Sequence, residues 1–357
     1  MADVKALMQE KIKVLDEASK AYYARGEEIM SNFEYDKIYD ELVELEKQSG
    51  IILAGSPTQK VGYEILSELP KEVHPSRMLS LDKTKSREEL KDWLGDHQGI
   101  LSWKLDGLTI VLTYEDGKLL KAVTRGNGDV GEVITANAKT FVNLPHQIAY
   151  KGALVLRGEA VISYADFDKI NSEIEDSAGK YKNPRNLCAG SVRQLNSEIT
   201  ASRRVRFFAF TLVSAEGINF KKRSEQINWL KDQGFDTVKE RLVNADNIIE
   251  TVDLFESEVH ENPIPSDGLV LAFDDLEYSA SLGTTAKFPR DSIAFKWQDQ
   301  TEKTTLREIE WNASRTGLIN PIAVFDPVEL EGTTVSRASV HNLSIVEELA
   351  LGIGDTI

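Results

Sequence analysis

The chain has 357 residues, 41% apolar and 28% charged, which is the composition of a soluble globular protein with material for two or three domains. A net charge of −16 argues against indiscriminate nucleic-acid binding, so any DNA contact has to come from a local cluster of arginines. No run of 18 apolar residues is present. Asp3, Lys5 and Glu10 interrupt what would be a signal peptide, the single Cys188 precludes an internal disulfide and fits a reducing cytoplasm, and the five histidines lack zinc-site spacing.

Residues 2–50 read as two amphipathic helices. Ala6, Leu7, Ile12, Leu15, Ala18 and Tyr22 keep a helical period in the first; Tyr35, Ile38, Tyr39, Leu42, Val43 and Leu45 keep it in the second. The break at Met30-Ser31-Asn32 offers Ser31 or Asn32 as N-cap of the second helix. A loop containing Gly55, Pro57, Gly62, Pro70 and Pro75 marks a boundary, and Leu90–Leu94 closes a short helix. From Ile100 the pattern becomes short alternating strands joined by Gly, Asp and Asn turns: Leu108–Tyr114, Leu119–Arg125, Ala153–Val161, Arg206–Val213 and Gly268–Phe273. Helices over Tyr164–Glu175 and Ser224–Gln233 interrupt them without strict βαβ alternation, which predicts an α+β domain on antiparallel sheets. A second β pattern covers Leu306–Val340, with turns at Thr316-Gly317 and Glu331-Gly332, and the last four residues read as the start of a strand.

Charged residues gather at the strand ends. Lys104 sits two residues before the Asp106-Gly107 turn, where an amine can act as a nucleophile once neighbouring cations lower its pKa. A bare Lys-x-Asp-Gly also fits an exposed lysine before a hairpin, but the charged residues downstream of Lys104 favour the nucleophile. Arg125 lies beside Gly126-Asn127-Gly128, Glu159 ends a strand, and Arg185 and Arg193 flank Ala189-Gly190-Ser191. Asp267 starts a strand and Lys296 ends one. Nucleotidyl transfer needs this kit: cations for phosphate oxygens, carboxylates for Mg²⁺, and an activated nucleophile.

In this order the motifs resemble the bacterial NAD-dependent DNA ligases. The resemblance rests on Glu34-Tyr35-Asp36, Ser56-Pro57-Thr58, Met78-Leu79-Ser80-Leu81, Lys104-Leu105-Asp106-Gly107, Thr124-Arg125-Gly126 and Asn183-Pro184-Arg185-Asn186. Further along it rests on Arg193-Gln194-Leu195, Arg206-Phe207-Phe208, Asp267-Gly268, Ala294-Phe295-Lys296, Arg315-Thr316-Gly317 and His341-Asn342. It implies an antiparallel nucleotidyltransferase core over 71–298, a helical domain over 1–70 that captures the cofactor, and part of an OB fold over 299–357. It implies that Lys104 takes AMP from NAD⁺, passes it to the 5′-phosphate of nicked duplex DNA, and that the 3′-hydroxyl then displaces it. Asp106, Glu159 and Asp267 would serve Mg²⁺, partly through water, with Glu159 also at the ribose. Lys296 would face the α-phosphate, and Arg125, Ser80, Leu81 and Ser102 the nucleotide. Tyr22, Asn32, Phe33, Glu34, Tyr35 and Asp36 would grip the nicotinamide mononucleotide half, and Arg185, Arg193 and Arg315 the DNA backbone. A cytoplasmic monomer serving replication and repair is the implied setting.

Four positions depart from the family pattern. Ala272 stands where a lysine five residues after the aspartate is usual, Ser102 where a glutamate contacts adenine, Asn32 where an aspartate is expected, and Tyr23 where histidine is frequent. Loss of a phosphate-directed cation at Ala272 would cost on the order of 2–4 kcal/mol of barrier. The family's zinc module, helix-hairpin-helix and BRCT domains do not appear in these residues, so weak nick binding and poor sealing are expected. Two other readings stay open: a relative that binds nucleotide or nicked DNA without efficient adenylation, and an ATP-using ligase or capping enzyme. The Glu34-Tyr35-Asp36 hairpin sets the chain apart from the ATP-using group.

Overall fold

The computed structural model describes residues 2–20, 32–53, 56–58, 68–75, 77–174, 180–285, 288–297, 301–313, 319–330 and 333–357. The chain divides into two compact units, Met1–Lys296 and Trp297–Ile357.

In the first unit, helices Ala2–Lys20 and Asn32–Ser49 form the expected hairpin. Met8, Leu15 and Leu42 are its closed core, with Ile51 and Leu53 beneath them. The spacing of Val4, Met8, Ile12 and Leu15 is that of one helical stripe. Lys5 breaks this stripe and is nonetheless buried: its ammonium donates to the Gly234 carbonyl (2.5 Å) and to Asp236 Oδ1 (2.8 Å). Asn143 donates to the second Asp236 oxygen (2.8 Å), so the ion pair is fully satisfied. Strand Ile52–Leu53 pairs antiparallel with Pro145–Gln147, which fastens the foot of the hairpin to the β body. Ser31 and the side chain of Asn32, the expected caps, lie outside the described residues.

That body holds two sheets. The six-stranded sheet runs Ile52–Leu53, Pro145–Gln147, Lys118–Thr124, Leu108–Glu115, Leu154–Val161, Arg206–Ala215, antiparallel throughout. Its period-2 apolar set (Ile110, Leu112, Leu154, Leu156, Ala160, Phe207) packs with Leu187, Cys188 and Val192 of helix Pro184–Val192. The five-stranded sheet runs Glu240–Val243, Gly99–Leu105, Ser266–Phe273, Ser292–Lys296, Asp82–Thr84. Leu101, Trp103, Leu269, Leu271, Ile293 and Phe295 fill its buried face. Trp103 meets Phe255 of helix Ile248–Ser257 edge-on, ring centroids 4.9 Å apart. The α+β architecture is as expected, with one difference: Asp82–Thr84 pairs parallel to Ser292–Lys296. A three-residue strand gives no periodicity to read. The loop predicted around Gly55–Pro75 also ends in a strand, Lys71–Val73, paired with Val130–Glu132.

The second unit contains antiparallel strands Leu306–Ala313, Ile319–Leu330 and Thr333–Ser339, with Leu306, Ala323, Phe325, Val340 and Val346 as core. Thr356 bridges Thr305, and Ile357 exchanges two backbone hydrogen bonds with Thr304 (2.9 and 3.0 Å), so the chain end does join the sheet. The turns at Thr316-Gly317 and Glu331-Gly332 lie outside the described residues. No described helix is long and apolar enough to cross a membrane.

Candidate active site

The two sheets of the first unit face each other across a cleft of about 950 Å³. Strand alternation decides what each wall presents. On strand Gly99–Leu105 the odd residues Leu101 and Trp103 are buried behind the sheet, so Ile100, Ser102 and Lys104 line the cleft. Val270 and Ala272 of the next strand, and Ser292, Ala294 and Lys296 of the one after, continue that floor.

Two glycines fix the turns beside the charged residues. A Cβ at Gly107 would stand 2.0 Å from the Ala160 carbonyl oxygen, and one at Gly268 would stand 2.1 Å from that of Phe295. Gly268 also has φ +149. Asp106 N–H donates to Pro265 O (2.8 Å), tying the turn after Lys104 to the residues just before Asp267. The outcome is a shared carboxylate. Lys104 Nζ donates to Asp267 Oδ1 (2.8 Å) and Oδ2 (3.0 Å), and Lys296 Nζ donates to Oδ2 (2.9 Å). Burial pushes the Asp267 carboxyl up, but the hydrogen bonds and charges of Lys104 and Lys296 outweigh it and hold it below the usual range.

Glu159 enters from the opposite wall, its Oε2 accepting from Thr109 Oγ1 (2.8 Å). Burial drives its carboxyl up to about 7, against the opposing effects of Thr109, Lys104, the Gly107 N–H and Arg185. Between about pH 4.5 and 7 the folded chain therefore keeps a proton that the unfolded chain has lost. Stability is fully present below that window and falls as pH rises through it. We expect urea titrations at pH 5 and pH 8 to show wild type losing about 2–3 kcal/mol relative to Glu159→Gln over that interval, after allowing for partial exposure of the carboxylate. Equal losses in both proteins would refute a buried neutral Glu159.

Arg185 Nη1 donates to Asp106 Oδ1 (2.7 Å), Arg125 Nη2 to Ser80 Oγ (2.9 Å), and Arg193 pairs with Glu132 (2.8 Å). Lys104, Asp106, Glu159, Lys296, Ser80, Leu81, Ser102, Arg125, Arg185 and Arg193 all line the cleft, and Asp267 bonds two of them. Nine cationic side chains line it against three carboxylates, which is the local basic surface that the net charge of −16 conceals. Arg157, Arg223 and Thr109 line it as well and were not singled out from sequence. Arg157 was legible, since it lies two residues from Glu159 on one strand and so shares its face. Arg223 comes from a helix start, where no periodicity points across to another sheet. Tyr22, Tyr23 and Arg315 lie outside the described residues, as do the side chains of Asn32, Phe33, Glu34, Tyr35 and Asp36.

Asp106, Glu159 and Asp267 are expected to serve Mg²⁺ partly through water, and no three acidic, histidine or cysteine side chains among the described residues gather closely enough to hold an ion directly. Asp267 is held by two lysines and Asp106 by Arg185, so the carboxylates suit a hydrated ion carried on substrate phosphates rather than a protein cage. Ala272 was to mark a missing phosphate cation. The register puts Gly268 opposite Lys296 and Ala272 opposite Ser292, four residues or about 13 Å along the strand from the two lysines. Ala272 therefore stands beside Ile100 and Ser292, one row beyond Ser102.

Comparisons with known proteins agree with one another. Residues 1–62 match the profile of the DNA ligase-like N-terminal NAD⁺-binding domain, 66–300 that of the NAD-dependent DNA ligase adenylation domain, and 303–357 that of the NAD-dependent DNA ligase OB-fold domain. A DNA ligase of Lachnoclostridium phytofermentans is 65% identical over 97% of this chain and 53% of its own length. One from Ruminiclostridium cellulolyticum is 64% identical over 100% and 54%, and one from Lactobacillus gasseri 40% identical over 97% and 53%. The chain thus spans about half the length of these relatives.

Proposed function

The chain belongs to the NAD-dependent DNA ligase family, and from that premise we propose that it is the adenylating part of such an enzyme. Lys104 Nζ attacks the α-phosphorus of NAD⁺; the phosphoramidate bond forms as the bond to the bridging oxygen breaks, and nicotinamide mononucleotide leaves with the electron pair. The AMP then passes to the 5′-phosphate of a nick, and the 3′-hydroxyl displaces it. The arrangement that carries this reading is the pair Lys104 and Lys296 on one carboxylate, inside a cationic cleft.

Attack needs the neutral amine, and the Asp267 contact holds the ammonium. The resting geometry is therefore the protected form of the nucleophile. Lys296 shares the same carboxylate and offers its charge to the α-phosphate. Arg125, positioned through Ser80, and Leu81 flank the nucleotide, and Glu159, anchored by Thr109, meets the ribose. Asp106, Glu159 and Asp267 would hold a hydrated Mg²⁺, partly through water, and the ion would supply charge neutralisation at the phosphates. Residues 1–70, through Tyr22, Asn32, Phe33, Glu34, Tyr35 and Asp36, capture the nicotinamide mononucleotide half; 71–298 adenylate; and 299–357 with Arg315 join Arg185 and Arg193 on the DNA backbone. The setting is a cytoplasmic monomer.

Ser102 and Ala272, both small and uncharged in the cleft, favour a second reading, a relative that holds nucleotide with little adenylation. Intact mass after incubation with NAD⁺ and Mg²⁺ separates the two. Gain of one AMP, reversed by added nicotinamide mononucleotide, is expected. An unmodified chain that still binds NAD⁺ would establish the second reading instead.

A further inference from the structure

Resting on the reading that the helical hairpin captures the leaving half of NAD⁺, we propose that Lys5 is a positioning residue for adenylation. It grips from outside the segment that joins the two walls of the cleft, and so fixes the tilt of the hairpin against them.

That segment is 234–239. Its first part runs beside the six-stranded sheet: Ala209 N–H donates to the Asp236 carbonyl (2.8 Å), and Val238 N–H donates to the Ala209 carbonyl (3.0 Å). Its end enters the five-stranded sheet, where Trp103 N–H donates to Lys239 O (3.2 Å) and Glu240 pairs with Ser102. Val238, between the two, is buried and lines the cleft. The Lys5 ammonium holds the near end through the Gly234 carbonyl and the Asp236 carboxylate. Asn143 carries the grip inward. Its amide donates to Asp236 Oδ2 (2.8 Å) and to Phe207 O (2.7 Å), and its oxygen accepts from Phe207 N–H (2.7 Å). The next residue, Phe208, stands opposite Glu159 in the sheet register.

Leverage explains why a charge is buried here. The second helix is fastened by strand Ile52–Leu53 on Pro145–Gln147. One fastening leaves a pivot, and Lys5 supplies another on the first helix. From Lys5 to Lys20 that helix is about 22 Å long, so a tilt of about 10° carries its far end about 4 Å. Hydrogen bonds tolerate only about 0.5 Å. A loosened arm therefore reaches the cofactor in a fraction of the population, and apparent affinity falls by that fraction. Packing alone would be served by an apolar residue beside Val4, Met8 and Ile12. A buried ion pair adds little net stability over such a residue, and its best-attested use is to fix register.

The test follows single-turnover loading of Lys104 against NAD⁺ concentration, by intact mass, in wild type, Lys5→Met, Asp236→Asn and the double variant. Each single change should raise half-saturating NAD⁺ about tenfold, with the saturating rate within about threefold of wild type. The double variant should be no worse than the weaker single one, because the same ion pair is lost in all three. Affinity for AMP alone, measured by calorimetry, should not change. A merely structural lysine would lower the melting temperature and the fraction that loads without moving half-saturation. Unmoved half-saturation in folded Lys5→Met, additive effects in the double variant, or an equal loss of AMP affinity overturns the proposal and leaves Lys104 as acceptor. No adduct on wild type overturns the nucleotidyl-transfer reading beneath it. The Asp236 side chain is 35% exposed, so Asp236→Asn carries the test if Lys5→Met does not fold.

Discussion

Lys104→Ala gains no AMP from NAD⁺ at any pH, a loss of at least about 10⁴ in rate, because covalent catalysis without its nucleophile has no partial form. The competing amine is Lys296, which shares the same carboxylate at 2.9 Å. Removal of Lys104 leaves Lys296 as sole partner of Asp267, so the change tightens that ion pair rather than freeing a second nucleophile. The fold should be indifferent. Lys104 projects into the cleft, its side chain 27% exposed, and its loss orphans no buried charge, since Lys296 still satisfies Asp267. Stability within about 0.5 kcal/mol of wild type is expected by urea denaturation. Intact mass and peptide mapping decide the matter: an AMP adduct on the variant, or one mapped to Lys296, removes Lys104 from the centre of the mechanism.

Much of this site was legible because β alternation is a strict code. A lysine at 104 with Leu101 and Trp103 as its odd-numbered neighbours has its face assigned before any coordinates exist, and so does Glu159 between Gly158 and Ala160. The order of motifs identified the family, and the α+β class came from strands broken by occasional helices. Pairing between distant segments was not legible. Lys104 and Asp267 are 163 residues apart, and the sequence marks each as a charged strand terminus without saying that they meet. The same limit bears on Ala272. Counting five residues from Asp267 along the chain suggests proximity to the phosphates, whereas an extended strand carries residue 272 two rows away. The parallel strand Asp82–Thr84 shows the limit again: three residues, two of them charged, carry no strand signal until Ser292–Lys296 supplies the edge to pair with.

Asp267→Asn should be the second largest loss, about 10²–10³ in adenylation rate, with a signature that simple misfolding cannot imitate. Asp267 is the anion that lets two ammonium groups sit on one spot. Its amide replacement keeps the shape and one acceptor oxygen but removes the charge, so Lys104 and Lys296 then repel across a site that is only about a quarter to a third exposed. At an effective dielectric near 20, two like charges several ångströms apart cost on the order of 3 kcal/mol, and solvent reduces this to a fraction. The two ammonium groups then part, and the aim of Lys104 at the α-phosphorus is lost while the fold is kept. Single-turnover loading read beside the melting temperature separates that loss from unfolding. A folded variant with an undiminished rate would mean that the shared carboxylate contributes nothing to positioning the nucleophile.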